Sequence, residues 1–332
     1  MGTTKSESLK GAPTPLGRLP HLLYTDPMRT QSTQFQVAMA SFVLVLGVQA
    51  CKAPTTANPA QPQAPTINVI NWNTYHLFDH RAKIEPATQW LAEQAPDLLA
   101  LQEMLHINEL GLQELAKSWG HGYAVMHKEK GYPVALTSSA PIEVIERRVK
   151  GFHHGYLHAR THGIDVFVVH FWPSKVGEAV RVSEAAAALL EAGKPVIVMG
   201  DFNGKIRFDE AYLKENGFHI REDGSALFDY RLTDAFLDRG FVELVSEHSP
   251  DHLYTFGAPA LIPRWAKTME EVRSRRRRID FIFVSPDLAA GCESAVVRTD
   301  DEREGLYSDH YPLQCVLELP NEDREQPPQS SP

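Results

Sequence analysis

The sequence predicts an α/β protein built on mixed β-sheets. Short apolar runs alternate with helical patterns from Ile67 onward, and hairpin-like pairs stand among them. Several of the apolar runs stop on a carboxylate, an amide or an imidazole. No internal repeat and no zinc-type cysteine spacing offers a rival architecture.

The 332 residues are 43% hydrophobic and 23% charged, an ordinary globular balance that allows a substantial core. A net charge of −9 argues against a broad nucleic-acid surface, without excluding a local basic groove.

Residues 1–35 are polar and dotted with Pro and Gly. QVAMASFVLVLGVQAC then runs to Cys51, shorter than the roughly 20 apolar residues a membrane span needs. It suits a signal-peptide core, and Met28-Arg29 supplies an alternative start with a charged n-region. Val48-Gln49-Ala50-Cys51 resembles a bacterial lipobox, with Gln49 in place of a small residue. The tract KAPTTANPAQPQAPT that follows has the composition of a tether and no packing face. The expectation is export to the cell envelope, lipid-anchored at Cys51; cleavage by ordinary signal peptidase near Ala50 would instead give a periplasmic or secreted product. The domains expected are an extension and signal over 1–51, a linker over 52–65, one catalytic domain over 66–320 and a disordered tail over 321–332. Cys292 and Cys315 are either a disulfide or two free buried thiols.

Within the domain, INVINWN at 67–73 reads as a strand, 85–94 as a helix ended by Pro96-Asp97, and 98–101 as a buried strand closing on Gln102-Glu103. Further strands are expected at 164–169, 195–199, 279–284 and 313–319, with a helix over 181–191. HHGYLHARTH at 153–162 reads as a hairpin flanking a cleft, because its histidine spacings are too irregular for zinc. ALIPRWAKTMEEVR reads as an amphipathic insert beside the site.

One acid at a strand end is ordinarily a turn former. Here Asn73, Glu103, His170, Asp201 with Asn203, Asp280, and Asp309-His310 all lie at strand ends, where α/β active sites gather. NWNTY, LQE at 101–103, GDFN at 200–203, RRID at 277–280 and SDH at 308–310 occur together in one order. On these motifs the chain resembles the endonuclease/exonuclease/phosphatase superfamily. NTYHLFD at 73–79 and HFWPS at 170–174 also resemble a bacterial subgroup with an H-W-P-S signature, save for the inserted Phe171 and for His76 in place of Asn.

The resemblance implies a four-layer α/β/β/α sandwich, two packed mixed β-sheets flanked by helices. It implies hydrolysis of phosphodiester bonds with Mg²⁺ (or Mn²⁺), a hard cation that takes oxygen ligands: Glu103, the Asn73 amide oxygen and Asp309. Asp201 would orient or deprotonate water, Asn203 would donate to phosphate, His310 would work with Asp280 as its orienting carboxylate, and His170 would serve the leaving oxygen. Arg278 is the expected phosphate contact, in a run where Arg277 also fits. Nuclease or other phosphodiesterase comes first. A phosphomonoesterase on sugar or inositol phosphates, a sphingomyelinase-like lipid phosphodiesterase and a non-catalytic envelope-binding module follow. The partners expected are a phosphoester, nucleic acid among the candidates, and a membrane through the anchor; no protein partner is inferred.

Overall fold

The structure, a computed structural model, describes residues 65–218 and 228–319, so the lipobox, most of the tether and the tail lie outside the described residues. Twelve strands form two six-stranded sheets among those residues. The first sheet contains β1 (Thr66–Asn73), β2 (Leu98–Gln102), β3 (Tyr123–Met126), β4 (Ala135–Ser138), β11 (Cys292–Val297) and β12 (Leu313–Glu318), in the order β11-β12-β1-β2-β4-β3. The second contains β5 (Glu143–Arg148), β6 (Tyr156–Thr161), β7 (Ile164–His170), β8 (Val196–Asp201), β9 (Val242–Glu243) and β10 (Asp280–Val284), in the order β5-β6-β7-β8-β10-β9. Both sheets are mixed: β1 pairs parallel with β2 and antiparallel with β12, while β7–β8 is parallel and β8–β10 antiparallel.

Two-residue periodicity decides which side chains meet between the sheets. Ile67 and Val69, Val166 and Val168, Ile197 and Met199, and Ile282 and Val284 share one core. The alternate residues face outward under helices. Ile70, Trp72, Leu99 and Leu101 pack with Ala87, Trp90 and Leu91 of helix α1 (Ile84–Gln94) and Leu112 of α2 (Glu109–Ala116). Phe167, Val198, Phe281 and Phe283 pack with Val182 and Ala186 of α3 (Val176–Glu191) and Phe236 of the helix Arg231–Leu237. The result is the α/β/β/α sandwich. Each fully buried Leu, Ile or Phe contributes about 1.5–3 kcal/mol, which makes these three clusters the main source of stability.

The same parity extends to the strand ends. Asn73 continues the Ile67–Val69 face, His170 the Val166–Val168 face, Asp201 the Ile197–Met199 face, and Asp280 the Ile282–Val284 face. All four therefore point into the gap between the sheets at one end of the sandwich. The 153–162 segment forms a hairpin as expected: Thr161 pairs with Ile164 across His162 and Gly163, whose φ values of 52° and 75° suit a two-residue turn. Cys292 and Cys315 are free thiols, which removes the disulfide alternative.

Candidate active site

Adjacent strands set the first row of the site. In the sheet registers His170 lies opposite Asp201, and Asp201 opposite Asp280. Across the gap, β1 ends at Asn73, whose pairing partner Gln102 is followed by Glu103. The approach to β12 brings Asp309 and His310 over the same end. Ser308 Oγ donates to the Asn73 carbonyl at 2.7 Å, and Trp72 Nε1 donates to the His310 carbonyl at 2.9 Å.

His310 Nδ1 lies 2.8 Å from Asp280 Oδ2, the same oxygen that accepts from Thr255 Oγ at 2.6 Å. His310 Nε2 then faces Asp201 Oδ2 and Asp309 Oδ1, each at 3.9 Å. Burial opposes charge on this ring, but Asp280, Asp309 and Asp201 outweigh it and push the imidazole up to about 10. His310 is thus an imidazolium at neutral pH. Burial, with Asp280 nearby, pushes the Asp201 carboxyl up to about 8. Burial also drives Asp309 up to about 7, with Glu103 and Asp280 acting against the pull of His310.

Asn73 joins the two halves of the site. Its Nδ2 donates to Asp201 Oδ2 at 2.9 Å and approaches Glu103 Oε1 at 3.4 Å, while its Oδ1 accepts from the Tyr75 N–H at 3.1 Å. The amide nitrogen, rather than the expected oxygen, thus faces the carboxylates. Glu103 stands at φ 58°, and its buried Oε2 has no hydrogen bond among the described residues, although His76 Nε2 lies 3.2 Å away.

That orphaned oxygen is the test of fit for a cation. Glu103 Oε2 and the nearby Asp309 carboxyl offer oxygen ligands of the kind a hard divalent ion takes, whereas the Asn73 amide turns its nitrogen toward the carboxylates. Beyond the effect of burial, Asp280 raises the Asp201 carboxyl, and Glu103 and Asp280 raise that of Asp309, which marks a crowding of negative charge. A second grouping exists: one atom from each of Asp201, Asp280 and His310 falls within 4.8 Å of the others. There, however, Asp280 Oδ2 and His310 Nδ1 are already engaged with each other, which leaves Glu103 as the better anchor.

Two further expectations need correction. Asn203 does not extend the strand alongside Asp201: β8 ends at Asp201, and Asn203 turns to φ 47°. There its N–H donates to Asp201 Oδ1 at 2.8 Å and its amide to the Phe171 carbonyl at 3.2 Å, so it clamps the loop beside the acid. Arg278 is not a phosphate contact. It is 1% exposed and bonded to Asp209, Glu243 and Ser246, because a buried guanidinium must be paired. Arg277 is the arginine near the site, where Asp201 and Asp309 counter the lowering that burial imposes on its pKa. His170 does reach the site, with Nε2 3.4 Å from Asp201 Oδ2, and burial beside His154 and His310 holds its ring well below the ordinary value.

Several participants left little trace in the sequence. Thr255 orients Asp280 from a loop. Tyr75 begins a run through Arg81 with φ between 47° and 76°, a conformation that non-glycine residues adopt at a cost. The run is fixed by the Leu77 N–H on Thr74 Oγ (3.1 Å) and on the Glu103 carbonyl (3.0 Å), and by burial of Leu77 and Phe78. The insert does lie beside this run, since Trp265 Nε1 donates to Tyr75 Oη at 2.9 Å. His76 was visible only as a departure from the subgroup pattern.

Residues 70–310 match the family model described as Endonuclease/Exonuclease/phosphatase family. No curated protein matches the chain. Among solved structures, an AP endonuclease from Archaeoglobus fulgidus is similar with a TM-score of 0.55 and 22% identity, over 76% of this chain and 100% of that one. A 3′-5′ exonuclease (NExo) from Neisseria meningitidis is similar with a TM-score of 0.56 and 18% identity, over 75% and 98%. The 3′ phosphatase NExo from Neisseria, bound to a product DNA hairpin, gives 0.55 and 19%, over 77% and 100%. At these identities the structural likeness speaks for the fold.

Proposed function

The chain belongs to the endonuclease/exonuclease/phosphatase family and is a hydrolase of phosphoester bonds; from that premise we propose that it cleaves phosphodiesters with the help of Mg²⁺. The observation that carries this reading is the convergence of the Asp280–His310 pair with Asp201 and the orphaned Glu103 carboxylate at one end of the sandwich.

Glu103 and Asp309 would hold the ion, with Asn73 beside them. When bound, Mg²⁺ supplies positive charge for the phosphoryl oxygens and the leaving oxygen. The remaining chemistry falls to the chain. Asp201 takes the proton from water in its ionised form, and burial makes that carboxylate a stronger base than an ordinary one. Asn73 and the Asn203 N–H hold its two oxygens at 2.9 and 2.8 Å, fixing the direction of proton transfer. The His310 imidazolium, steered by Asp280, offers its Nε2–H to the phosphoryl oxygen on which charge accumulates. Arg277 adds a second cation, and His170 serves as a neutral partner at the leaving side. A phosphomonoesterase is the second reading, supported by the likeness to a structure described as a 3′ phosphatase. We further propose export and lipid attachment at Cys51, on the strength of the apolar segment, the lipobox-like tetrapeptide and the tether.

The test is hydrolysis by purified residues 52–332 of plasmid DNA, RNA, bis(p-nitrophenyl) phosphate, sphingomyelin and sugar phosphates, with Mg²⁺ and with EDTA. Metal-dependent turnover of a diester, lost in His310→Ala, is the expected result. Turnover that survives EDTA, or none on any substrate from folded protein, would reject the reading.

A further inference from the structure

We propose that the wall of the site beside His170 is a stacking subsite for an unpaired nucleobase attached to the scissile phosphoester. The inference rests on the phosphoesterase reading and selects among its substrates.

The wall is aromatic and continuous. The His154 ring stacks on His170 with centroids 4.3 Å apart and planes 24° from parallel. Tyr132 and Trp172 both meet His154 edge-on, at 5.1 and 5.9 Å, and His153 lies 4.5 Å from Trp172. His154 and His170 are buried, whereas Tyr132 and Trp172 are 38% and 45% exposed. Large rings half-open to solvent beside a catalytic centre are surfaces on which a planar group can stack.

The backbone is built to present these rings. Gly155, at φ 90°, turns the chain directly after His153-His154, and a Cβ there would meet the Arg148 carbonyl at 2.3 Å. The His154 carbonyl is fixed by His127 Nε2 at 2.8 Å and Lys128 Nζ at 2.6 Å. No side-chain hydrogen bond ties down the His154 or His153 ring among the described residues, and the buried His170 Nδ1 has no partner. A base offers both a face to stack and a polar edge to pair.

Charge separates this occupant from the other planar or compact candidate, a quaternary ammonium headgroup. An aromatic cage for such a cation excludes like charge. Here the Lys128 ammonium sits against the His154 carbonyl at 2.6 Å, and the carboxylates nearest the wall are buried and engaged, Glu178 with the His153 N–H at 2.7 Å and Asp201 with Asn73 and the Asn203 N–H. Burial, with His153 and Lys128 nearby, pushes His154 down to about 4, so the stacked imidazole is neutral at physiological pH.

The experiment is calorimetric titration of the full chain, in Mg²⁺, with the hydrolysis-resistant 5′-phosphonate analogues of adenosine monophosphate and ribose phosphate, and with phosphocholine. The adenosine analogue is expected to bind about tenfold more tightly than the ribose analogue, with that ratio falling toward one in Trp172→Ala and in Tyr132→Ala. A wild-type ratio near one, a ratio unchanged in both variants, or tighter binding of phosphocholine would overturn the subsite. Failure of all three probes to bind, together with absence of Mg²⁺-dependent hydrolysis, would instead sink the phosphoesterase reading and this inference with it.

Discussion

His310 Nδ1 and Asp280 Oδ2 meet at 2.8 Å, although the residues are thirty apart in sequence and only Asp280 belongs to a strand. Thr255 donates to the same oxygen, so the carboxylate is held on one side by a hydroxyl and turns its charge toward the imidazole. This arrangement fixes the ring and keeps it protonated. Asp280→Asn removes the charge while retaining the shape. The expected result is a fall in kcat of about 10²-fold or more with an unchanged circular dichroism spectrum, in line with the usual worth of a positioned proton-transfer group. Near-wild-type kcat in folded Asp280→Asn would show that the pair is structural.

Glu103 should set the metal requirement. Glu103→Gln keeps the volume but removes the charge of the orphaned Oε2. The Mg²⁺ concentration for half-maximal activity is expected to rise at least about tenfold, and the thermal stabilisation given by saturating Mg²⁺ should shrink, because an ion that binds only the folded state stabilises by mass action. Chelation of the wild type should lower its melting temperature and Mg²⁺ should restore it. An unshifted Mg²⁺ midpoint in the variant would move the ion to the Asp201, Asp280 and His310 grouping.

The two arginines of the RRID motif separate stability from binding. Arg278→Ala leaves Asp209 and Glu243 buried without their partner, and breaking a buried pair costs about 3–5 kcal/mol. Arg277→Ala should instead keep the unfolding midpoint in urea and raise KM by about tenfold. Exchange of these two phenotypes would reverse the assignment.

How much of this was legible follows from parity and its limits. Alternation in VINWN and VIVMGDFN fixes Asn73 and Asp201 on the face of their inward valines, isoleucines and methionine, so the strand-end acids could be placed from sequence. Once a strand stops, that reasoning stops with it. Asn203 stands two residues beyond Asp201 but has left the strand, and the order Arg277-Arg278 before β10 contains nothing to say which guanidinium turns inward. The left-handed run from Tyr75 to Arg81 was illegible because it contains no glycine and depends on tertiary bonds to Thr74 and Glu103. The strands β3, β4, β5, β9 and β11 were also missed. They are two to six residues long, and β5, EVIERR, is a charged and exposed sheet edge with no apolar alternation strong enough to read.

Acid should destabilise the fold through His127. Its Nδ1 accepts the Val134 N–H at 2.9 Å while Nε2 bonds the His154 carbonyl at 2.8 Å, an arrangement that requires the neutral ring. Burial pushes this imidazole down to about 4. The folded value lies below the unfolded one, near 6.5, so the contribution is intact above about pH 6.5, is lost as pH falls from there toward 4, and levels off below. The loss is on the order of 3 kcal/mol. Urea unfolding at pH 7 and pH 4.5 should show a smaller drop for His127→Gln than for the wild type; equal drops would locate the acid sensitivity elsewhere.

Gly200 explains why the strand that carries Asp201 ends in Gly-Asp. At φ 154° its backbone runs against β7, and a Cβ would stand 2.0 Å from the Val169 carbonyl oxygen, far inside any real contact. That atom is backbone in a ladder whose next rung is His170 opposite Asp201, so it cannot yield without moving the site. Gly200→Ala must therefore push β8 away from β7, and the displacement falls directly on the Asp201 carboxylate and its bonds to Asn73 and Asn203. Misplacement of a catalytic group by about 1 Å can cost 10²-fold in rate, and strain of this kind costs about 1–3 kcal/mol in stability. Gly200→Ala should accordingly lower kcat by about 10²-fold, with a smaller change in KM and a lower melting temperature. An alanine variant with the melting temperature and kcat of the wild type would mean that β8 has room beside β7, and that Gly200 is not what holds Asp201 in line with His170 and Asp280.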